Sequence, residues 1–163
     1  MKKIKQILDK FLEVLCMIVV AVLVIDVLWQ VFTRFILPKP SSWTEELAIF
    51  LLIWVALLGS AVALGRGAHL GIDYFVHKLP YKSRIKTELF VFAVIALFSL
   101  LVMVIGGINL VSETLRLNQT SPALNLKIGY VYIAVPLSGV FLVLYSVIGF
   151  IERLNSVQQG ENQ

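Results

Sequence analysis

Four long apolar blocks, separated by short polar segments, organise this chain. Leu47 to Gly65, Leu89 to Val111 and Ile128 to Ile151 contain no charged residue. The first block, Phe11 to about Phe35, is less uniform: Glu13 lies near its start, Asp26 inside it and Arg34 at its end, around an unbroken apolar run from Val14 to Ile25. A helix needs about 20 mostly apolar residues to cross a hydrocarbon core of about 30 Å, and each block supplies them. The pattern predicts an all-α integral membrane protein whose four transmembrane helices cover about residues 11–35, 47–65, 89–111 and 128–151 of a single membrane domain, 1–163. The first block is too long for a signal peptide, and no small-x-small cleavage site follows it.

Between the second and third blocks the apolar residues Leu70, Tyr74 and Phe75 recur at helical spacing, with His69, Asp73 and His77 opposite. A short amphipathic helix over about 67–80, lying in the membrane interface, fits that pattern. The first connection is tight. Pro38 and Pro40 block helix continuation and Ser41 and Ser42 suit a helix start, so it reads as a helical hairpin turn.

Composition agrees. Of 163 residues 59% are hydrophobic and 15% charged, well off the soluble average of about a quarter charged. That excludes a soluble enzyme, a disordered tail and a disulfide scaffold; Cys16 is the only cysteine. The net charge of +4 does not mark a nucleic-acid binder, because basic residues flanking apolar spans set orientation instead. Lys2, Lys3, Lys5 and Lys10 precede the first span, Arg66, Lys78, Lys82, Arg84 and Lys86 lie between the second and third, and Arg153 follows the fourth. They outnumber Arg34, Lys39, Arg116 and Lys127 on the opposite side. Both termini and the middle segment are therefore expected in the cytoplasm.

Candidate chemistry is sparse. Asp26 is an ionisable group inside a span, where a lone carboxylate costs about 2.5–3.5 kcal/mol even on insertion scales. Gln30 and Arg34 follow at i+4 and i+8, giving one polar stripe. A proton or cation site is one reading; a helix face packed against protein is the favoured one. Trp43 suits the interface, and Glu45 and Glu46 suit the start of the second helix, where negative charge is worth about 0.3–1 kcal/mol. In a tight hairpin they return to the depth of Arg34, so an ion pair from Arg34 to Glu45 or Glu46 is expected. Gly59 and Ala63 offer a small-residue packing face, while Gly106, Gly107 and Pro136 are weaker structural signals. His69, Asp73 and His77 could converge on a metal, but the wet face of an interfacial helix is the simpler account. No histidine lies in a span to hold haem, and neither a nucleotide motif nor a catalytic set occurs, so no enzyme, cofactor or metal is expected.

Four unbroken spans with almost no polar residue at mid-membrane cannot line a substrate path alone, yet the stripe and interfacial helix look built to touch protein. An accessory subunit explains both. Local patterns point the same way: Phe32-Thr33-Arg34-Phe35 ends the first span and Ser42-Trp43-Thr44-Glu45-Glu46 opens the second. Trp54 and Gly59 then lead to Arg66-Gly67-Ala68-His69-Leu70-Gly71-Ile72-Asp73, and Thr120-Ser121-Pro122-Ala123-Leu124 precedes Tyr130 to Pro136. Through these the chain resembles the small membrane subunit (DctQ-type) of tripartite ATP-independent periplasmic (TRAP) transporters over nearly its whole length.

The resemblance implies a subunit of the bacterial inner membrane that carries no transport site. Its partners would be a large membrane subunit, which moves substrate with sodium by an elevator mechanism, a periplasmic substrate-binding protein met transiently, and membrane lipids. The solute would be carboxylated, a C4-dicarboxylate or a sialic acid. Arg34, Trp43, Glu45 and Glu46 would form the outer hairpin, and His69 and Asp73 would fix the interfacial helix. Two rivals stand beside it. A four-helix, homodimeric proton-coupled multidrug exporter would use a membrane carboxylate such as Glu13, although Glu13 lies close to Asp9 and Lys10 at the surface. A membrane anchor of an unrelated complex is the other.

Overall fold

The computed structural model describes residues 2–37, 41–66 and 81–160, and these are helical almost throughout. The expected interfacial helix over 67–80, with His69 and Asp73, lies outside the described residues. Helix α1 runs Lys2–Ile36 and α2 runs Ser42–Gly65. The third span starts as α3, Tyr81–Phe98, and ends as α4, Gly107–Arg116. After α4 comes a short α5, Ile128–Tyr132, and then α6, Ala134–Gly160. Four stretches are long and apolar enough to cross a membrane: Lys5–Ile36, Ser42–Gly65, Ser83–Arg116 and Ile128–Asn155. At 1.5 Å per residue the 35 residues of α1 reach about 52 Å, beyond what the hydrocarbon core requires.

Among the described residues the helices pack as an open row, not as a closed bundle. Helix α1 lies on α2, α2 on α1 and α6, and α6 on α2 and the third span, so α1 and α3 form the two edges. Burial follows that order. The most apolar window of the fourth span is 39% buried, against 11% for the first and 6% for the third. A centre helix has neighbours on two sides; an edge helix has one.

The α1–α2 seam has a seven-residue rhythm. Leu12, Asp26 and Thr33 are buried and Val19, between them, is partly buried. On α2, Thr44 and Leu58 are buried with Leu51 half-buried midway. A seven-residue repeat keeps one stripe facing an antiparallel neighbour, as in coiled coils. In a membrane such a seam is held by close van der Waals fit and interhelical hydrogen bonds, not by water exclusion. The core sits towards the end that carries the N-terminus, where Leu12 of α1 joins Leu58, Ala61 and Leu64 of α2 and Phe141 and Tyr145 of α6.

The third and fourth spans depart from the unbroken helices expected. Ser99–Gly106 winds as a π-helix, and the fourth span breaks at Ile133 between α5 and α6. The break has a local cause: Pro136 has no N–H to give to the carbonyl four residues back, and its ring crowds that carbonyl. The regular bond returns at Leu137, whose N–H meets the Ile133 carbonyl at 3.1 Å. The two irregularities face each other. A methyl group on Gly107 would lie 2.9 Å from Pro136 Cδ, and one on Gly139 would lie 2.7 Å from Met103 Cβ. Close packing therefore uses Gly107 and Gly139, while a methyl group on Gly59 would meet nothing within 4 Å.

Candidate functional site

The α1–α2 turn is closed by hydroxyl groups. The Thr33 hydroxyl donates to the Gln30 carbonyl at 3.0 Å and lies 3.1 Å from the Ser41 hydroxyl. The Ser41 and Thr44 hydroxyls are 2.7 Å apart, and Thr44 Oγ1 donates to the Ser41 carbonyl at 2.9 Å. Thr33 and Thr44 can be buried because these bonds satisfy their hydroxyls. The expected ion pair is absent: among the described residues nothing joins Arg34 to Glu45 or Glu46. Arg34 and Glu45 are exposed, as is Trp43 at the start of α2. Compact hydroxyls hold a tight turn without the rotamer entropy that an exposed pair of long side chains must give up.

Glu46 is engaged elsewhere. Its Oε2 accepts hydrogen bonds from the backbone N–H of Ala123 at 3.1 Å and of Leu124 at 2.9 Å. The loop from Leu117 to Lys127 is shaped to offer them. Ser121 N–H bonds the Leu126 carbonyl at 2.8 Å and Asn125 N–H bonds the Ser121 carbonyl at 3.0 Å. Asn118 and Asn125 take positive φ, 48° and 54°, a conformation asparagine tolerates better than most residues. The two successive amides that follow Pro122 thus converge on one carboxylate oxygen. Glu46 thus ties α2 to the loop between the third and fourth spans.

The polar stripe on α1 rises out of the seam. Asp26 is buried, at 5% exposure, and neither carboxylate oxygen has a hydrogen-bond partner among the described residues. Gln30 is half-buried, and its side-chain amide makes no hydrogen bond among the described residues. On another side of α1, Ile25, Leu28, Trp29 and Phe32 line a shallow apolar groove, with the Trp29 and Phe32 rings stacked at a 5.6 Å centroid distance.

The other end of the row is tied by charge. Arg66 Nη2 reaches Glu13 Oε1 at 2.8 Å, Lys5 reaches Glu152 at 3.7 Å, and Glu88 takes both Arg84, at 3.0 Å, and Arg153. Glu13, the carboxylate an exporter would need, is held in one of these pairs. Tyr145 packs over Gly65, where a methyl group would lie 2.9 Å from a ring carbon and 3.3 Å from Asp9 Oδ1. The residue pattern signalled the stripe and the hairpin residues. It gave no sign of Glu46's loop partners, since two backbone amides leave no mark in side-chain chemistry, nor of Glu88, which falls just outside the apolar block.

Comparison with known proteins decides the family. The model for the DctQ component of tripartite ATP-independent periplasmic transporters matches residues 23–156, most of the chain. The chain belongs to the DctQ family. The family is a transport component and not an enzyme, and with four apolar spans this member is a multi-pass inner-membrane protein. The chain is 30% identical over 148 residues to the sialic acid TRAP transporter small permease protein SiaQ of Vibrio cholerae, covering 88% of this chain and 81% of that one. It is 34% identical over 95 residues to the C4-dicarboxylate TRAP transporter small permease protein DctQ of Rhodobacter capsulatus, covering 58% and 41%. A 62-residue stretch is 37% identical to part of the sialic acid TRAP transporter permease protein SiaT of Haemophilus influenzae, covering 38% of this chain and 10% of that one.

Proposed function

We propose that this DctQ-family chain is the small accessory subunit of a sodium-coupled, binding-protein-dependent TRAP transporter that imports a carboxylated solute, either a C4-dicarboxylate or a sialic acid. It binds and stabilises the large permease subunit and carries no substrate site itself. The open row of helices carries this reading. An isolated transporter encloses a polar path between helices; here, among the described residues, the two edge helices have a neighbour on one side only, and the buried Asp26, Thr33 and Thr44 lie along the α1–α2 seam. SiaQ and DctQ supply the solute classes by their names, and the stretch shared with the permease SiaT supports a physical association with a large permease.

In this reading 1–163 acts as one membrane domain, with both termini and the segment over 67–80 on the cytoplasmic side and the clamped loop facing the periplasm. Arg34, Trp43, Glu45 and Glu46 belong to the outer hairpin, and His69 and Asp73 to the interfacial helix. The stripe Asp26, Gln30 and Arg34 faces a protein surface. The test is uptake of sialic acid and succinate into proteoliposomes under a sodium gradient. Uptake is expected only with this chain, the large subunit and the binding protein together; export of a cationic dye by this chain alone would overturn the reading.

A further inference from the structure

Polar groups in a membrane span need partners, because lipid tails offer none. Most hydroxyls of the α1–α2 hairpin have one: Thr33, Ser41 and Thr44 bond one another, and Ser60 donates to the Leu57 carbonyl at 2.7 Å. Two groups do not. Asp26 holds a buried carboxylate without a hydrogen bond, and one turn further the Gln30 amide is unbonded among the described residues. Arg34, another turn on, has no ion pair among them.

The two flanks of α1 differ in chemistry. Successive residues turn by about 100°, so with Asp26 in the seam Gln30 and Arg34 climb off it on one side, while Ile25, Leu28, Trp29 and Phe32 occupy the other. The aromatic flank suits acyl chains as it stands. The polar flank does not, and among the described residues α1 is an edge helix that packs on α2 alone there. The small-residue face at Gly59 is also open, but its polar member, Ser60, is already bonded, so that face demands no donor.

We infer that the Gln30–Arg34 flank of α1 is the docking line for a membrane-spanning helix of the large permease subunit, one that presents a hydrogen-bond donor at the depth of Gln30. The inference rests on the subunit reading above. Gln30 is suited to a relay: the i+4 spacing lets its N–H₂ turn to Asp26 once the partner helix is in place, which leaves its carbonyl to accept from the partner. The aromatic flank then faces lipid.

Site-specific photo-cross-linking tests this, with benzoylphenylalanine in place of Gln30 or Arg34 on one flank and Trp29 or Phe32 on the other, in the chain co-expressed with its large subunit. Adducts with the large subunit are expected from the first pair and not the second. Adducts chiefly from the second pair, equal yields from both, or none from a complex that purifies intact would overturn the inference. Failure of the unsubstituted chain to co-purify would instead remove the subunit reading, and the docking line with it. Where the bulky probe blocks assembly, Gln30→Leu decides: recovery of the large subunit falls roughly fivefold, the scale of one interhelical hydrogen bond in a membrane. Trp29→Leu leaves recovery unchanged. Equal recovery with both would contradict the docking line.

Discussion

The Glu46 carboxylate is the residue on which one end of the molecule depends. It accepts from two amides that the Pro122 turn leaves without other partners, and hydrogen bonds to a charged group are worth about 1.5–3 kcal/mol. Glu46→Ala should therefore free the loop locally, raising hydrogen exchange at Ala123 and Leu124 by about tenfold or more. Arg34→Ala should leave the same amides protected, because Arg34 makes no ion pair with the hairpin carboxylates. If the two substitutions acted alike, the clamp would not be local to Glu46. The contrast also shows what residue-level reading misses. Arg34 and the two glutamates were legible as charges at one depth, but the turn chose short hydroxyls at Thr33, Ser41 and Thr44, and Glu46 chose backbone.

At the scale of elements, hydropathy made the four spans legible, because a membrane imposes length and apolarity on every crossing helix. It did not reveal how they pack. In lipid, packing follows small residues and shape: the pattern put Gly59 first and Gly107 only as a weaker signal, while close approaches fall at Gly107 and also at Gly65, Gly129, Gly139 and Gly149. Nor could apolar content disclose the π-helix at Ser99–Gly106, which changes hydrogen-bond register without changing hydropathy. Gly139→Leu forces atoms into the space held by Met103 and Val104, and overpacking of this kind costs about 1–3 kcal/mol. Thermal unfolding of the detergent-solubilised chain should show a lower Tm for Gly139→Leu and an unchanged one for Gly59→Leu. The reverse order would mean that α6 and the π-helix do not meet as described.

For the whole molecule, the order α1, α2, α6, α3 explains why a small hydrophobic chain need not be a transporter by itself. Its most buried span is central, its edge helices have a neighbour on one side only among the described residues, and the unpaired carboxylate of Asp26 lies on one of those edge helices. In the proposed function, a row of this kind enlarges a membrane surface by lying against something larger. Native mass spectrometry of the tagged chain, co-expressed with its neighbouring large permease and released gently from detergent, measures that directly. The account predicts a one-to-one complex of this chain with the large subunit. A homodimer of this chain, free of other protein, would contradict it.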